Sequence, residues 1–213
     1  MNTVKFDNKD SYKDLGLLLQ TKTRPKPAPK YNYVSLPARN GDLDLTEAFG
    51  DVIYNNLKYP LEFYLVDKIK NWDTKLSELT ALLHGKKLKV TFSDDPNYYY
   101  VGRVTINELS SDRAVGLLSI DCNFEPYKYK QEETVVEYEV AAGNNYEFIN
   151  SRMPVVPILE LSQAMIIKFN DTSYSLNAGL QKALGIEFKE GVNVISVQEG
   201  TGTLKVTYRE GAL

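Results

Sequence analysis

The side chains best suited to binding a metal ion lie in the segment Asn40–Glu47, where oxygen-bearing residues recur at alternate positions. Calcium loops have this kind of spacing. An EF-hand loop that began at Asn40 would need glycine at its sixth position and glutamate at its twelfth, where this chain has Leu45 and Asp51. Asn40-Gly41 is a turn dipeptide, and the leucines that follow alternate with aspartates. The sequence therefore predicts a turn and a strand here in preference to an ion site.

Two further groups have side chains that serve in acid–base catalysis. His84, the only histidine, lies directly before Gly85, where it is expected to help satisfy the last carbonyl groups of a helix. The neighbouring Asp94 and Asp95 could form a glycosidase pair only if both carboxyl groups faced one sugar. Adjacent strand residues point to opposite faces, and the following Pro96-Asn97 indicates a turn.

Sequence patterns for other chemistry are missing. The chain has no glycine-rich phosphate loop, no nucleophilic serine elbow and no cluster of cysteine and histidine. We therefore expect no catalytic, cofactor-binding or metal-binding residues, and we do not expect an enzyme.

The 15 tyrosines include the run Tyr98–Tyr100. Tyrosine rings serve in sugar platforms, in protein interfaces and on strands with one exposed face. Because strand residues alternate, Tyr99 must face away from its two neighbours, so at least one of these rings should be exposed. This pattern favours a subunit contact over catalysis.

Composition indicates an ordinary soluble protein, with 43% hydrophobic and 25% charged residues among 213. The net charge of −3 argues against a nucleic-acid clamp and against sequence-specific DNA binding. The single cysteine, Cys122, shares an apolar strand face with Leu118, Ile120 and Phe124, which predicts a buried, inert thiol. No secretory signal and no stretch of ~20 apolar residues is present. We expect synthesis in a reducing cytoplasm and no membrane insertion.

The elements that position these residues are mostly strands. One helix is predicted from a cap at Asn71 or Asp73 to His84, with Gly85 in a left-handed conformation after it. A hairpin follows, and its apolar residues alternate before and after the turn at Asp94–Asn97. The other strands predicted in this half are 31–36, 57–66 and 115–124. The proline-rich stretch Arg24–Lys30 indicates a stiff loop or arm in preference to an SH3 ligand.

Glu125-Pro126 is the predicted boundary between two domains, 1–124 and 125–213, and a protease is expected to cut first at 125–133. The second half shows strand alternation at 136–140, 165–169 and 204–209. Gly179 and Gly185 make a helix at 178–188 improbable. The second half is therefore predicted to be a small β-sandwich.

Five segments follow one another in the order seen in a known family: Ser11–Leu19, Leu36–Gly50, Leu79–Val104, Asn123–Tyr129 and Gly191–Leu213. Together they resemble the distal tail proteins of phages with long, non-contractile tails. The resemblance covers both halves of the chain. Each segment consists of strand, turn and cap residues, so it is their order and spacing that make the resemblance specific.

The resemblance implies a mainly β chain. Its first domain, 1–124, would be a β-sandwich-like ring domain with one α-helix, and 125–213 would be a galectin-like β-sandwich. That sandwich is expected to be abridged, because only a short connection separates Leu176 from Gly191.

The resemblance also implies a homo-hexameric hub at the tail tip of a virion. The ring would leave an axial channel for tape measure protein and DNA. Its implied partners are the tail tube protein, the tape measure protein, the tail-tip hub or tail-associated protein, and a receptor-binding protein.

Two rival functions remain open. One is a carbohydrate-binding adhesion module acting on a host wall, which would be retained on wall material through exposed aromatic rings. The other is a tail-associated hydrolase. A structural adaptor would instead copurify with tail-tip proteins.

Overall fold

The structure is a computed structural model that describes residues 2–48, 50–66, 71–112, 115–183 and 185–213. The chain divides into two compact units. The first extends to Lys128 and includes Leu213, and the second spans Tyr129–Ala212. The assignment of a ring domain to 1–124 and a galectin-like domain to 125–213 stays a prediction.

Unit 1 contains one helix and nine strands in its described residues. Seven strands form an antiparallel sheet in the order β2-β1-β7-β8-β9-β6-β3, and β4 pairs only with β5. The elements are β1 (Val4–Phe6), β2 (Lys9–Asp10), β3 (Leu17–Lys22), β4 (Tyr33–Val34), β5 (Leu43–Asp44), β6 (Leu57–Leu65), α1 (Trp72–Leu83), β7 (Lys87–Phe92), β8 (Tyr98–Asp112) and β9 (Val115–Phe124).

The core of unit 1 lies on one face of this sheet. Every second residue of β6 from Leu57 to Leu65 is buried, as the two-residue period of a strand requires. The helix buries Trp72, Leu79 and Leu83, and the Trp72 ring packs against Gly116 of β9. Burying each of these large apolar side chains contributes about 1.5–3 kcal/mol, so the helix is held mainly by its packing on the sheet.

The predicted elements of unit 1 agree with the structure except at two positions. The predicted strand 31–36 is reduced to Tyr33–Val34, because only these two residues pair regularly with β5. Asn71 occupies the N-cap position of α1, but its side chain makes no capping hydrogen bond. The helix, the hairpin and the strand at 115–124 are confirmed, and the strand predicted at 57–66 is confirmed with its end at Leu65.

Unit 2 contains two four-stranded antiparallel sheets, β11-β18-β13-β16 and β12-β17-β14-β15. Buried residues from both sheets form one core, with Phe148, Ile167, Leu159 and Val206 among them. The elements are β10 (Lys128–Lys130), β11 (Thr134–Ala141), β12 (Asn145–Asn150), β13 (Ile158–Leu161), β14 (Met165–Phe169), β15 (Thr172–Leu176), β16 (Gly179–Gln181), β17 (Gly191–Glu199), β18 (Thr201–Tyr208) and β19 (Gly211–Ala212).

The segment between Leu176 and Gly191 differs from the simple connection that the sequence predicted. It contains β16, in which Gly179 pairs with Leu161, and an isolated bridge between Val155 and Phe188. A three-residue strand is too short to show alternation in the sequence. The prediction of a mainly β chain with one helix and a β-sandwich is confirmed. Within the described ranges, no helix is long and apolar enough to span a membrane.

Candidate assembly interface

Residues 28–55 form an antiparallel extension that we call the arm; Phe49 lies outside the described residues. At its base the Lys30 amide donates to Ile53 O at 2.8 Å, and the Asn55 amide donates to Ala28 O at 2.9 Å. At its far end β4 pairs with β5. The last residues of the proline-rich stretch, Ala28–Lys30, enter this base, and the stiffness predicted for the stretch stays a prediction.

The arm exposes large apolar side chains. The exposed fraction is 62% for Tyr31, 54% for Tyr33 and 60% for Ile53, and Val34 and Leu36 are also exposed. The two tyrosine rings stack with their centroids 5.5 Å apart. A clustered apolar surface of this kind marks a contact site more often than a free surface. Sequence reasoning missed this surface, although the alternation of Tyr31 and Tyr33 was a signal for it.

The arm is also acidic. Asp42 accepts a hydrogen bond from the Ser35 hydroxyl, and Asp44 accepts one from the Thr46 amide at 2.9 Å. Desolvation raises the pKa of Tyr33, and the negative charges of Asp44 and Asp42 raise it further. Among the described residues, no cation lies within ion-pair distance of Asp42, Asp44 or Glu47. Within the described ranges, these carboxylates therefore have no counter-charge from the chain itself.

The segment Asn40–Glu47, considered above for an ion, adopts the predicted turn and strand. Gly41 has a φ of +74°, and β5 follows directly. In the part of the chain that the structure describes, no group of three histidine, cysteine, aspartate or glutamate side chains could hold a metal ion.

The outer face of the large sheet carries several cations, and we call the surface formed by Lys58, Lys87, Lys89 and Arg103 the cationic face. The strand register places Lys87 opposite Arg103, Arg103 opposite Asn123, and Asn123 opposite Lys58. Three cations therefore share one row across four strands. Lys89 lies two residues along β7, and the exposed carboxylate of Asp121 lies on the same face.

The contacts of these cations leave most of their charge available. Only Lys87 pairs with a carboxylate in the described residues, that of Glu125 at 2.6 Å. Arg103 donates to Gly85 O at 2.8 Å, and the Lys89 ammonium lies 3.9 Å from the centroid of the Tyr99 ring. Like charges directly opposite each other on a sheet are destabilising, and the Glu125 carboxylate paired with Lys87 offsets the repulsion between Lys87 and Arg103.

The prediction that Tyr98–Tyr100 includes an exposed ring is wrong, because all three residues are half-buried. Tyr100 stacks on Phe124 with ring centroids 5.0 Å apart. Lysine side chains cover the other two rings: Lys89 lies over Tyr99, and the Lys128 ammonium lies 4.3 Å from the Tyr98 centroid. The long lysine stem can bury an aromatic face that alternation alone leaves open.

His84 has a structural contact other than the predicted one. Its backbone amide donates to Thr80 O, but the ring does not bond the helical carbonyls. Instead Nδ1 accepts a hydrogen bond from the Ile106 amide at 3.2 Å. Gly85 has a φ of +73°, which confirms the predicted left-handed conformation.

Asp94 and Asp95 border a cleft of about 440 Å³ beside the β7–β8 turn. Asp94 pairs with Lys22 and Arg24, each at 2.5 Å, and Asp95 pairs with Lys128 at 2.6 Å. The hydrogen bond from Lys22 lowers the pKa of Asp94, with the charges of Lys22 and Arg24 acting in the same direction against desolvation. An ionised carboxylate with two cationic partners does not suit a general acid.

Two buried ionisable groups belong to the cores of their units. Cys122 is buried, and burial raises the pKa of its thiol above the usual range. Glu210 accepts hydrogen bonds from Lys130 at 2.5 Å, from Thr134 at 2.6 Å and from Ser151. Sequence reasoning missed this network, because its members are distant in the chain and no local pattern links them.

Comparisons with known proteins show a likeness to a solved structure. No family model and no curated protein matches the chain. The fold is similar to the crystal structure of Dit (gp 19.1) of phage SPP1, described as a paradigm of the hub adsorption apparatus in phages that infect Gram-positive bacteria. The TM-score is 0.72 at 15% sequence identity, and the match covers 100% of both chains. The resemblance to a distal tail protein is thus confirmed at the level of the fold.

Proposed function

We propose that this protein is a structural hub of a phage tail. The observation that carries the proposal is the structural likeness to a tail hub protein over the full length of both chains. A match confined to one sandwich would fit many functions, because β-sandwiches serve many of them. Similarity that extends over both units is more specific, because it concerns the complete two-unit architecture of the hub protein.

The surface of unit 1 supports self-assembly. The arm exposes Tyr31, Tyr33 and Ile53 in the isolated chain, and the cationic face lies on a different part of the unit. Two different patches that bind each other make a head-to-tail contact, and such contacts close into rings when the rotation between subunits allows it. A hexameric ring with an axial channel is the assembly we propose.

In the tail the ring joins the tail tube to the tail tip or baseplate, and tape measure protein and DNA pass through the channel. The partners are further copies of this chain, the tail tube and tape measure proteins, the tail-tip hub protein and a receptor-binding protein. The chain is synthesised in the host cytoplasm and resides at the virion tail tip. We assign it no enzymatic activity, no sequence-specific nucleic-acid binding and no membrane insertion.

Imaging of intact tails tests this function. Electron cryo-microscopy is expected to place this chain as a ring on the tail axis, between the tube and the tip. A single peripheral copy, or a position in an end fibre away from the axis, would contradict the hub assignment. A monomer in dilute solution would not, because ring closure adds stability only at sufficient concentration.

Carbohydrate binding is the second candidate, and it concerns the sandwich of unit 2. A depression of about 290 Å³ lies on the outer face of the β11-β18-β13-β16 sheet, lined by Glu137, Glu160 and Lys205 among others. Its lining contains no aromatic ring on which a sugar could stack. We therefore expect no saturable retention on purified host wall material. Retention that is lost on Glu160→Ala would favour the adhesion function.

A further inference from the structure

We propose that the cleft beside the β7–β8 turn binds a phosphate ester of a sugar or of another polyol. The residues that line the cleft all belong to unit 1, and its volume of about 440 Å³ is in the range of small-molecule sites. The inference does not rest on the proposed ring, because the site lies within one subunit. It follows from the charge of the lining and from two tyrosine hydroxyl groups.

The lining of the cleft carries more positive than negative charge. Its ionised side chains are the two carboxylates of Asp94 and Asp95 and four cations: Lys22, Arg24, Lys26 and Lys128. Both carboxylates are already held in the ion pairs described above. A cleft lined by an excess of one charge attracts a ligand of the opposite charge, so this cleft favours an anion.

Two of these cations keep hydrogen-bond donors for such a ligand. Arg24 contacts Asp94 through one nitrogen, at 2.5 Å, while its guanidinium group has five N–H donors and its side chain is 75% exposed. The Lys26 ammonium donates one hydrogen bond, to Leu213 O at 2.9 Å, and has three protons. Arginine binds phosphate oxygens through its planar fork of donors, so the anion that suits this lining is a phosphate.

The Tyr59 hydroxyl gives the cleft a donor that the chain does not use. Tyr59 is 3% exposed and lines the cleft, and its hydroxyl makes no hydrogen bond among the described residues. The Tyr100 hydroxyl in the same lining makes none within those residues either. Polar groups at this depth normally have a partner, so two unpaired hydroxyls indicate a ligand.

Both hydroxyls are suited to donate to an anion. Burial raises the pKa of Tyr59 and of Tyr100, so each phenol keeps its proton at neutral pH. The positive charge of Arg24 lowers the pKa of both phenols and so opposes this rise, which means that its guanidinium group lies within electrostatic range of both hydroxyls. A phosphate between them would accept from the phenols and from Arg24 together.

The remaining space suits a hydroxyl-rich group. The cleft is far larger than a phosphate ion requires, since one water molecule occupies about 30 Å³ in the liquid. Tyr59 and Phe92 are each 3% exposed, and the Lys22 ammonium lies 4.0 Å from the centroid of the Phe92 ring. The rings therefore leave little surface on which a planar base could stack. The accessible groups are hydroxyls and charged ends, which form hydrogen bonds with a polyol.

Isothermal titration calorimetry of the full chain at low salt tests the site. The probes are glucose 1-phosphate and glycerol 3-phosphate. Inorganic phosphate lacks the polyol, glucose lacks the anion, and glucuronate has a carboxylate in place of the phosphate. We expect saturable binding of the phosphate esters, binding about tenfold weaker for inorganic phosphate and for glucuronate, and no binding of glucose.

Two variants separate the site from general effects of charge and folding. Tyr59→Phe removes the unpaired hydroxyl and keeps the ring, so we expect unchanged stability in urea and about tenfold weaker binding of the esters. Arg24→Gln should weaken binding by about tenfold or more, because it removes a charged donor. The matched control, Arg39→Gln, removes the same charge from the arm and should bind like the wild type.

Four results would overturn the proposal. The first is a wild-type chain that binds neither phosphate ester saturably. The second is equal weakening by Arg24→Gln and Arg39→Gln, which would indicate an effect of net charge. The third is full affinity in Tyr59→Phe. The fourth is equal affinity for inorganic phosphate or glucuronate, which would remove the polyol or the phosphate from the assignment. Each of them leaves the hub function standing, because imaging of tails tests that function separately.

Discussion

Nδ1 of His84 accepts a hydrogen bond from the backbone amide of Ile106 at 3.2 Å. The bond continues a ladder along β8. Two residues earlier, the Val104 amide donates to Lys86 O at 3.0 Å, and Val104 O accepts from the Gly85 amide at 2.7 Å. Because the chain turns away into α1 before it can pair with Ile106, the imidazole ring takes the place of a backbone carbonyl.

Variants of His84 test whether its imidazole ring serves as the hydrogen-bond acceptor for the Ile106 amide. His84→Ala leaves the Ile106 amide without its acceptor, so we expect the free energy of unfolding to fall by about 1 kcal/mol in urea. His84→Gln keeps an acceptor oxygen on a side chain of similar reach and should be milder. Loss of tail assembly in His84→Gln with unchanged stability would mean that the ring has a functional rather than a structural role.

Gly85→Val should destabilise unit 1 more than either histidine variant. Gly85 has a φ of +73°, and no atom lies within 4 Å of an added Cβ, so the cost arises from the backbone conformation alone. We expect a loss of about 1–2 kcal/mol from chemical denaturation. Gly85→Asn should lose less, because asparagine tolerates this region. Equal losses for valine and asparagine would contradict this explanation.

The stability of unit 2 should depend on pH through Glu210. Burial alone would raise the pKa of this carboxyl, but hydrogen bonds from Lys130, Ser151 and Thr134 lower it below the ordinary value of 4.5. The unfolded chain then binds the proton more readily, so stability is present above pH 4.5 and is lost as the pH falls through the folded pKa.

Glu210→Gln removes the charge that this network stabilises. We expect the variant to be less stable than the wild type by about 1.5–3 kcal/mol at pH 7, and the difference should shrink as the medium is acidified. The measurement is the free energy of unfolding from pH 7 to pH 3. A constant difference over this range would show that ionisation of Glu210 is not involved.

Cys122 should be unreactive in the folded chain. It is 1% exposed, so a reagent cannot reach the sulfur in the folded chain. Burial also raises the pKa of the thiol, so the reactive thiolate is scarce at pH 8. We expect a maleimide to label Cys122 only after the chain unfolds, so that the labelling rate equals the unfolding rate. Asn123→Cys, at an exposed position on the outer face of the same strand, provides an accessible control. Rapid labelling of folded Cys122 would contradict its placement in the core.

Limited proteolysis should cut the arm before the segment joining the two units. Arg39 is exposed between β4 and β5, whereas Lys128 and Lys130 lie half-buried in β10. We expect trypsin to cleave first after Arg39, in contrast to the site at 125–133 that the sequence suggested. Arg39→Gln should remove the first fragment without altering later ones. An initial cut within 125–133 would favour the sequence-based expectation instead.

The elements that the sequence predicted well are those with long, regular alternation. β9 spans Val115–Phe124 and β14 spans Met165–Phe169, both as predicted, because a buried face requires every second residue to be apolar. The same pattern placed Cys122 in the core. Local sequence also located Gly85, since the end of a helix is a short-range feature.

The features that the sequence could not supply depend on distant partners. Lys130 and Glu210 are 80 residues apart, and nothing near either of them indicates the pair. The cationic face arises because the register aligns residues from three strands. The Tyr99 ring is half-buried because the Lys89 side chain of the neighbouring strand lies over it. In each case the missing information was the alignment between strands, which composition and alternation do not specify.

The base of the arm has a consequence for how such a protein can diverge. Ala28 and Asn55 are hydrogen-bonded neighbours, so the chain leaves the body and returns to it at nearly the same point. Insertions, deletions or exchange of the residues beyond this point need not displace β3 or β6. The sequence of the arm can therefore change while the body is inherited unchanged, and two proteins with little sequence in common can keep one architecture.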